Sequence, residues 1–179
     1  VVFMGDSITE NWEIINPEFF SENKFINRGI GGQTSPQMLI RFRSDVIELK
    51  PSLIIILAGT NDIAGNTGPT TIKMIANNII SMSELAISHG INVIISSVLP
   101  VYNYNWSDVE EPNKKIVNLN KILSDYSTEK NLSYLDYYSS MVDSRPGLKK
   151  EYSDDEVHPN NAAYALMSDL ALKVIKNNL

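Results

Sequence analysis

Leu53-Ile54-Ile55-Ile56-Leu57-Ala58 runs without a polar residue into Gly59-Thr60-Asn61-Asp62. A strand with one face in water alternates apolar and polar side chains. A run that does not alternate suits a strand covered on both faces, as in a parallel sheet between helical layers. Val93-Ile94-Ile95 reads the same way, and Val1-Val2-Phe3-Met4 is a further buried strand. The fourth strand is drawn over Asn92–Val98, and Lys24–Asn27 and a weaker Ser133–Leu135 complete the set. Between them lie stretches with apolar residues three and four apart: Ser35–Leu49 (Met38, Phe42, Val46, Leu49), Thr70–Ser88 (Ile72, Ile75, Ile79, Met82), Pro112–Lys130 and Asn160–Lys176. That spacing predicts helices, with Gly90 as the stop of the second. Strand and helix in alternation imply right-handed crossovers and an α/β sandwich around a parallel sheet of about five strands.

The 179 residues fit one domain over 1–179, with no repeat, low-complexity tract or linker to mark a second. The net charge of −6 and the lack of a basic stripe argue against a nucleic-acid binder. They also give no reason to expect an anionic membrane surface as partner. Without cysteine, disulfides, thiolate metal sites and a cysteine nucleophile are excluded. No apolar run approaches the length of a membrane span. The chain opens inside a strand without Met, so a segment ahead of residue 1 is expected. A signal peptide there would make the protein secreted or periplasmic; otherwise it is cytoplasmic.

In a parallel α/β sheet, ligands sit outside the carboxyl ends of the strands. Ser7, Gly31-Gly32, Gly59–Asp62 and the loop after Pro100 all follow strands and should gather on one rim. Ser7, in Gly5-Asp6-Ser7-Ile8-Thr9, ends the first strand before a turn, where a hydroxyl can stand clear of the backbone. A serine needs a base, usually histidine, and the chain has two. His89 sits where a helix should end and reads as structural. His158 lies in Asp155-Glu156-Val157-His158-Pro159-Asn160. In a tight turn, Asp155 can reach the imidazole and hold one tautomer; the ordinary alternative is a helix-start cap. Oxyanion donors could come from the Ser7 N–H, the glycines of Asn27–Ser35 and the Asn61 side-chain amide. Taken singly, the glycine loop is equally a plain strand-to-helix turn, and Asn61 equally a cap.

Together these blocks resemble the SGNH hydrolases, also called the GDSL lipase/acylhydrolase family. Gly5-Asp6-Ser7-Ile8 is similar to the first family block, with Ile in place of Leu; Gly32, Asn61, and Asp155 with His158 match the others in order. The resemblance implies a flavodoxin-like three-layer α/β/α fold. It implies a Ser7–His158–Asp155 triad and an oxyanion hole of Ser7, Gly32 and Asn61, with no metal or organic cofactor. Gly29-Ile30-Gly31-Gly32 and Gly59-Thr60-Asn61-Asp62 resemble the platelet-activating-factor acetylhydrolase-like bacterial branch, some of whose members dimerise, so a homodimer is open. Relatives often carry glycine at the position of Glu156. A carboxylate there is expected either to act on His158 or to point into solvent.

Other readings fit less well. Gly29-Ile30-Gly31-Gly32-Gln33-Thr34 follows a strand as a phosphate loop does, but lacks the third glycine and there is no Walker lysine. One usable histidine with Asp155 is too few ligands for zinc. Thr9 excludes a Gly-x-Ser-x-Gly elbow. A non-catalytic binding protein would ordinarily have lost one of the matched residues. The expected substrate is a small-molecule or carbohydrate ester, with short acyl chains, acetyl above all. Asp6, Gly31, Tyr102 and Trp106 are expected to contact the substrate. Tyr102, Tyr104 and Trp106 cluster in the loop after the fourth strand, where they could stack on a sugar, cover an acyl pocket or pack the loop. Trp12 carries the same choice, with packing favoured.

Overall fold

The computed structural model describes residues 1–179. Five strands form one parallel sheet: β1 (Val2–Gly5), β2 (Ile26–Gly29), β3 (Leu53–Ile56), β4 (Asn92–Ser96) and β5 (Ser133–Leu135). Their spatial order is β2-β1-β3-β4-β5, every neighbouring pair parallel. The helices are α1 (Ser7–Ile15), α2 (Pro17–Asn23), α3 (Ser35–Phe42), α4 (Thr60–Ile63), α5 (Ile72–Ser88), α6 (Pro112–Glu129), α7 (Tyr138–Met141) and α8 (Asn161–Lys176).

The unbroken apolar runs are explained by the two faces of the sheet. Successive side chains of a strand point to opposite sides. On one side Val2, Met4, Ile54, Ile56, Val93 and Ile95 join a buried cluster with residues of α3, α5 and α6. On the other, Phe3, Leu53, Ile55 and Ile94 join a second cluster with α1, α2 and α8. Each face is covered by helices, so neither set can be polar. The outcome is the three-layer α/β sandwich expected from the sequence. No helix is long and apolar enough to cross a membrane.

Several boundaries differ from the sequence reading. Residues 7–23, which carried no assigned element, form α1 and α2. β2 begins at Ile26 rather than Lys24, because Lys24 caps α2 in the left-handed conformation (φ 54°). β3 and β4 end at Ile56 and Ser96, short of Ala58 and Val98. The helix read over Ser35–Leu49 is α-helical to Phe42 and then widens into a π-helical turn, Arg43–Ile47. α5 ends as expected, with His89 as its C-terminal cap and Gly90 at φ +72°.

The strand order places the site. From β1 the chain crosses to β2 on one side, then returns to β3 on the other. Connections leaving β1 and β3 in opposite directions open a crevice at the carboxyl ends of those strands. Gly5-Asp6-Ser7 leaves β1 there, and Gly59-Thr60-Asn61 leaves β3.

Candidate active site

Ser7 is the first residue of α1, directly after the buried Asp6. The sequence reading put a turn here; instead strand passes to helix across one residue, with Asp6 as cap. Asp6 Oδ1 accepts the Ile8 N–H at 3.0 Å. The first N–H groups of a helix have no partner within it, and the helix dipole makes that end favour negative charge. The N–H of Ser7 makes no hydrogen bond inside the protein. α1 itself is locked down: Trp12 stacks on Phe19 at 4.9 Å and donates its indole N–H to Ser168 Oγ. Trp12 is therefore core.

Ser7 Oγ lies 3.1 Å from His158 Nε2, and His158 Nδ1 lies 2.6 Å from Asp155 Oδ2. An ionised carboxylate only accepts, so Nδ1 carries the ring proton and Nε2 offers a lone pair to the serine. Asp155 is set by a tight turn: its Oδ1 accepts from the N–H groups of Val157 (2.9 Å) and His158 (2.7 Å) and from Ser153 Oγ (3.1 Å). Burial pushes the Asp155 carboxyl up, but the His158 N–H, the His158 ring and the Val157 N–H outweigh it and hold it at about 2. It is ionised at any pH where the protein would work. Asn160 then caps α8 with its side-chain oxygen on Ala162 and Ala163 N–H.

Gly32 sits at φ +74°, in the left-handed region that glycine occupies without strain. Its N–H is also free of any partner inside the protein. Asn61 is buried in α4. Its Nδ2 donates to Gln33 O at 3.1 Å, leaving a second hydrogen on the same nitrogen, and its Oδ1 accepts from Asn66 Nδ2 at 2.9 Å. Asn66 Nδ2 also reaches Gly32 O (3.3 Å), and Asn66 Oδ1 accepts the Trp106 indole N–H (3.1 Å). The structure thus gathers the Ser7 hydroxyl, two unpartnered backbone N–H groups and an amide hydrogen at the strand ends. Such a set can serve proton abstraction from a hydroxyl and stabilisation of an oxyanion.

The remaining expected residues divide. Asp6 is 1% exposed, and burial pushes its carboxyl up to about 7 against the pull of the Ile8 N–H and His158. The Gly31 N–H is taken by Glu10 Oε2 at 3.0 Å. Trp106 is 47% exposed, its ring 6.3 Å from that of His158 and 27° off parallel. Tyr102 is 52% exposed and lies under the Arg145 guanidinium at 5.6 Å. Tyr104, in the same loop, is buried, with its hydroxyl 2.8 Å from Thr60 Oγ1. Glu156 follows neither expectation. Its carboxylate accepts from Arg145 Nη1 at 2.9 Å, and its backbone is left-handed at φ +68°. That conformation is why glycine suits the position.

Three residues here were not found from the sequence. Arg41 donates to Gly5 O (3.1 Å), Arg28 O (2.9 Å) and Gln33 Oε1 (2.6 Å), binding the ends of β1 and β2 to the glycine loop. Glu10 holds Gly31, and Asn66 joins Asn61 to Gly32 and Trp106. Their roles depend on partners brought near by the fold, and no local spacing signals them.

The model of the GDSL-like lipase/acylhydrolase family matches residues 3–166. The chain belongs to that family. Family membership implies an esterase or hydrolase. A GDSL-like lipase from Bacteroides thetaiotaomicron VPI-5482 has 42% identity and a TM-score of 0.98, over 99% of this chain and 88% of that one. A Bacillus subtilis (strain 168) protein, the uncharacterized lipoprotein YqeF, is 32% identical over 122 residues, 59% of this chain. The aligned stretch spans half the length of that curated relative (50%). An acetylxylan esterase from Geobacillus stearothermophilus, solved as a catalytic mutant, shares the fold at a TM-score of 0.77 and 16% identity, over 97% of this chain and 92% of that one.

Proposed function

We propose that this chain is a serine esterase that cleaves short-chain esters, acetyl esters foremost, through an acyl-enzyme on Ser7. The observation that carries the reading is the continuous hydrogen-bonded line from Ser7 Oγ through His158 to Asp155, at 3.1 and 2.6 Å. In this mechanism His158 Nε2 takes the Ser7 proton as Oγ attacks the ester carbonyl. Asp155 accepts the Nδ1–H and stabilises the imidazolium that forms. The tetrahedral oxyanion is received by the N–H groups of Ser7 and Gly32 and by Asn61 Nδ2, at the positive end of α1. His158 returns the proton to the leaving alcohol, and water, activated by the same imidazole, releases the acid. Residues 1–179 act as one domain in this scheme, and no cofactor is called for.

The short acyl preference is supported by where space lies. The cavity of about 630 Å³ beside α5 is lined by residues such as Ile63, Ile72, Ser107 and Lys115, and neither Ser7 nor His158 borders it. A long acyl chain therefore gains no room there. Trp106, exposed beside His158, favours a ring-shaped alcohol, so an acetylated sugar is the second reading. The distant likeness to an acetylxylan esterase accords with it. The segments Gly29–Gly32 and Gly59–Asp62 support the platelet-activating-factor acetylhydrolase-like branch as the subgroup.

The test is hydrolysis of p-nitrophenyl acetate, butyrate and octanoate by the protein and by its Ser7→Ala variant. Turnover that vanishes in the variant and falls with chain length supports the proposal. Turnover equal in both proteins refutes it and leaves a binding protein of the same fold. With Trp106→Ala, KM for an acetylated xylooligosaccharide should rise while that for p-nitrophenyl acetate stays within about twofold; parallel changes would remove the sugar reading.

A further inference from the structure

We infer that Asn66 is a positioning residue that sets the polarity of the oxyanion hole by fixing which way round the Asn61 amide points. The inference rests on the esterase reading of Ser7, Gly32 and Asn61. Asn66 lies three residues beyond α4, its backbone N–H bonded to Asn61 O at 3.0 Å. Its side chain faces three partners whose chemistry leaves no choice of orientation. The Trp106 indole N–H can only donate, so the Asn66 atom 3.1 Å away is the oxygen. The Gly32 carbonyl can only accept, so the Asn66 atom 3.3 Å from it is the nitrogen.

The same nitrogen lies 2.9 Å from Asn61, which must therefore present its oxygen. Asn61 Nδ2 is then turned to the other side. One of its hydrogens goes to Gln33 O at 3.1 Å, and the second is left for an oxyanion. Reversing Asn61 would set its oxygen against the Gln33 carbonyl and against the developing negative charge. A chain of forced donor and acceptor assignments thus begins at Trp106 and ends at Asn61. It also links the hole to the base, because Trp106 is the ring lying alongside His158. Asn66 is exposed, so its bonds compete with water and add little to folding. Their effect should appear in catalysis.

The experiment measures kcat and KM for p-nitrophenyl acetate, with thermal midpoints, for the full chain and for Asn66→Asp, Asn66→Ala, Trp106→Phe and Ser7→Ala. The aspartate keeps the acceptor for Trp106 but has no donor for Asn61. It draws the Asn61 amide nitrogen to itself and turns the oxygen into the hole. A loss of about 10²-fold in kcat is expected, the scale of one misplaced oxyanion donor, with KM within about threefold. Asn66→Ala leaves Asn61 held by Gln33 alone and should lose about tenfold. Trp106→Phe keeps the stacked ring but frees the Asn66 oxygen, and should fall between wild type and Asn66→Ala. The order, with aspartate worse than alanine, is the signature. A merely structural side chain gives the reverse order, since aspartate retains one more bond. Wild-type kcat in Asn66→Asp, or a loss confined to KM or the thermal midpoint, overturns the inference while Ser7→Ala remains inactive. Turnover surviving in Ser7→Ala instead overturns the esterase reading, and this inference with it.

Discussion

Asp6→Asn would separate the charge of a buried carboxyl from its shape. Burial pushes Asp6 up to about 7, whereas an unfolded chain releases that proton near pH 4, about 3.9 in a model peptide. Across that window the folded protein keeps a proton that the unfolded chain has lost. The folded pKa is raised, so the contribution to stability is full at the acid end and falls as pH climbs towards 7. At about 1.36 kcal/mol per pH unit the fall comes to roughly 4 kcal/mol by pH 8. Asparagine has no proton to lose and caps a helix as well as aspartate, so its oxygen keeps the Ile8 N–H. The two proteins should therefore be nearly equal in stability near pH 4. The variant should gain up to about 4 kcal/mol near pH 8, or roughly 10 °C in thermal midpoint for a chain of this length. Urea unfolding at intervals from about pH 4.5 to 8.5, with the slopes compared, measures the difference, and groups shared by both proteins cancel. A difference that does not change with pH, or that is larger at the acid end, would refute the reasoning.

Asp155→Asn leaves an amide where the imidazole needs an acceptor for its Nδ1–H, so kcat should fall about 10³- to 10⁴-fold with KM little changed; a loss under about tenfold would show that the carboxylate does not orient the ring. Gly29→Ala would drive a methyl group into the backbone of α1 at Glu10, inside van der Waals contact. A cost of about 1–3 kcal/mol is expected, together with lost activity from a displaced Ser7, read by urea unfolding and by turnover. Glu156→Gly relieves about 1 kcal/mol of left-handed backbone and gives up a half-exposed ion pair worth less, so the thermal midpoint should hold or rise. Because Arg145 already occupies that carboxylate, the acid limb of the pH–rate profile should stay where it was; a shifted limb would show Glu156 acting on His158.

The strands were legible because a sheet covered on both faces forces unbroken apolar runs, and Leu53–Ile56 and Val93–Ile95 allow little else. The long helices were legible for the matching reason, an apolar stripe at helical spacing. α1 and α2 were not. Pro17 breaks the segment into two short pieces whose buried residues serve a shared aromatic cluster around Phe3 and show no long stripe. The pairing of Asp155 with His158 is local, three residues apart, and so could be read. The contact of Ser7 with His158 spans 151 residues and could be expected only by placing every block at a strand end. Glu10, Arg41 and Asn66 were illegible because their meaning lies in partners as far as 21, 36 and 40 residues away, respectively. Glu156 shows the limit from the other side. Its position was marked as unusual, but only the fold revealed the Arg145 partner and the left-handed backbone.

Ser7 and His158 stand 151 residues apart, and further bonds tie the same two regions together: Tyr164 hydroxyl to Ile8 O, and Trp12 to Ser168. A ribosome releases Ser7 ahead of the His158 proposed as its base, by those 151 residues. Until His158 follows, the Ser7 hydroxyl at the start of α1 has no imidazole beside it. Hydrolytic power on this scheme arrives all at once, when the segment carrying Asp155 and His158 docks beside Ser7. On that scheme a chain without the docked His158 segment would be inert towards esters, and recovered turnover would count molecules in which the two regions have joined.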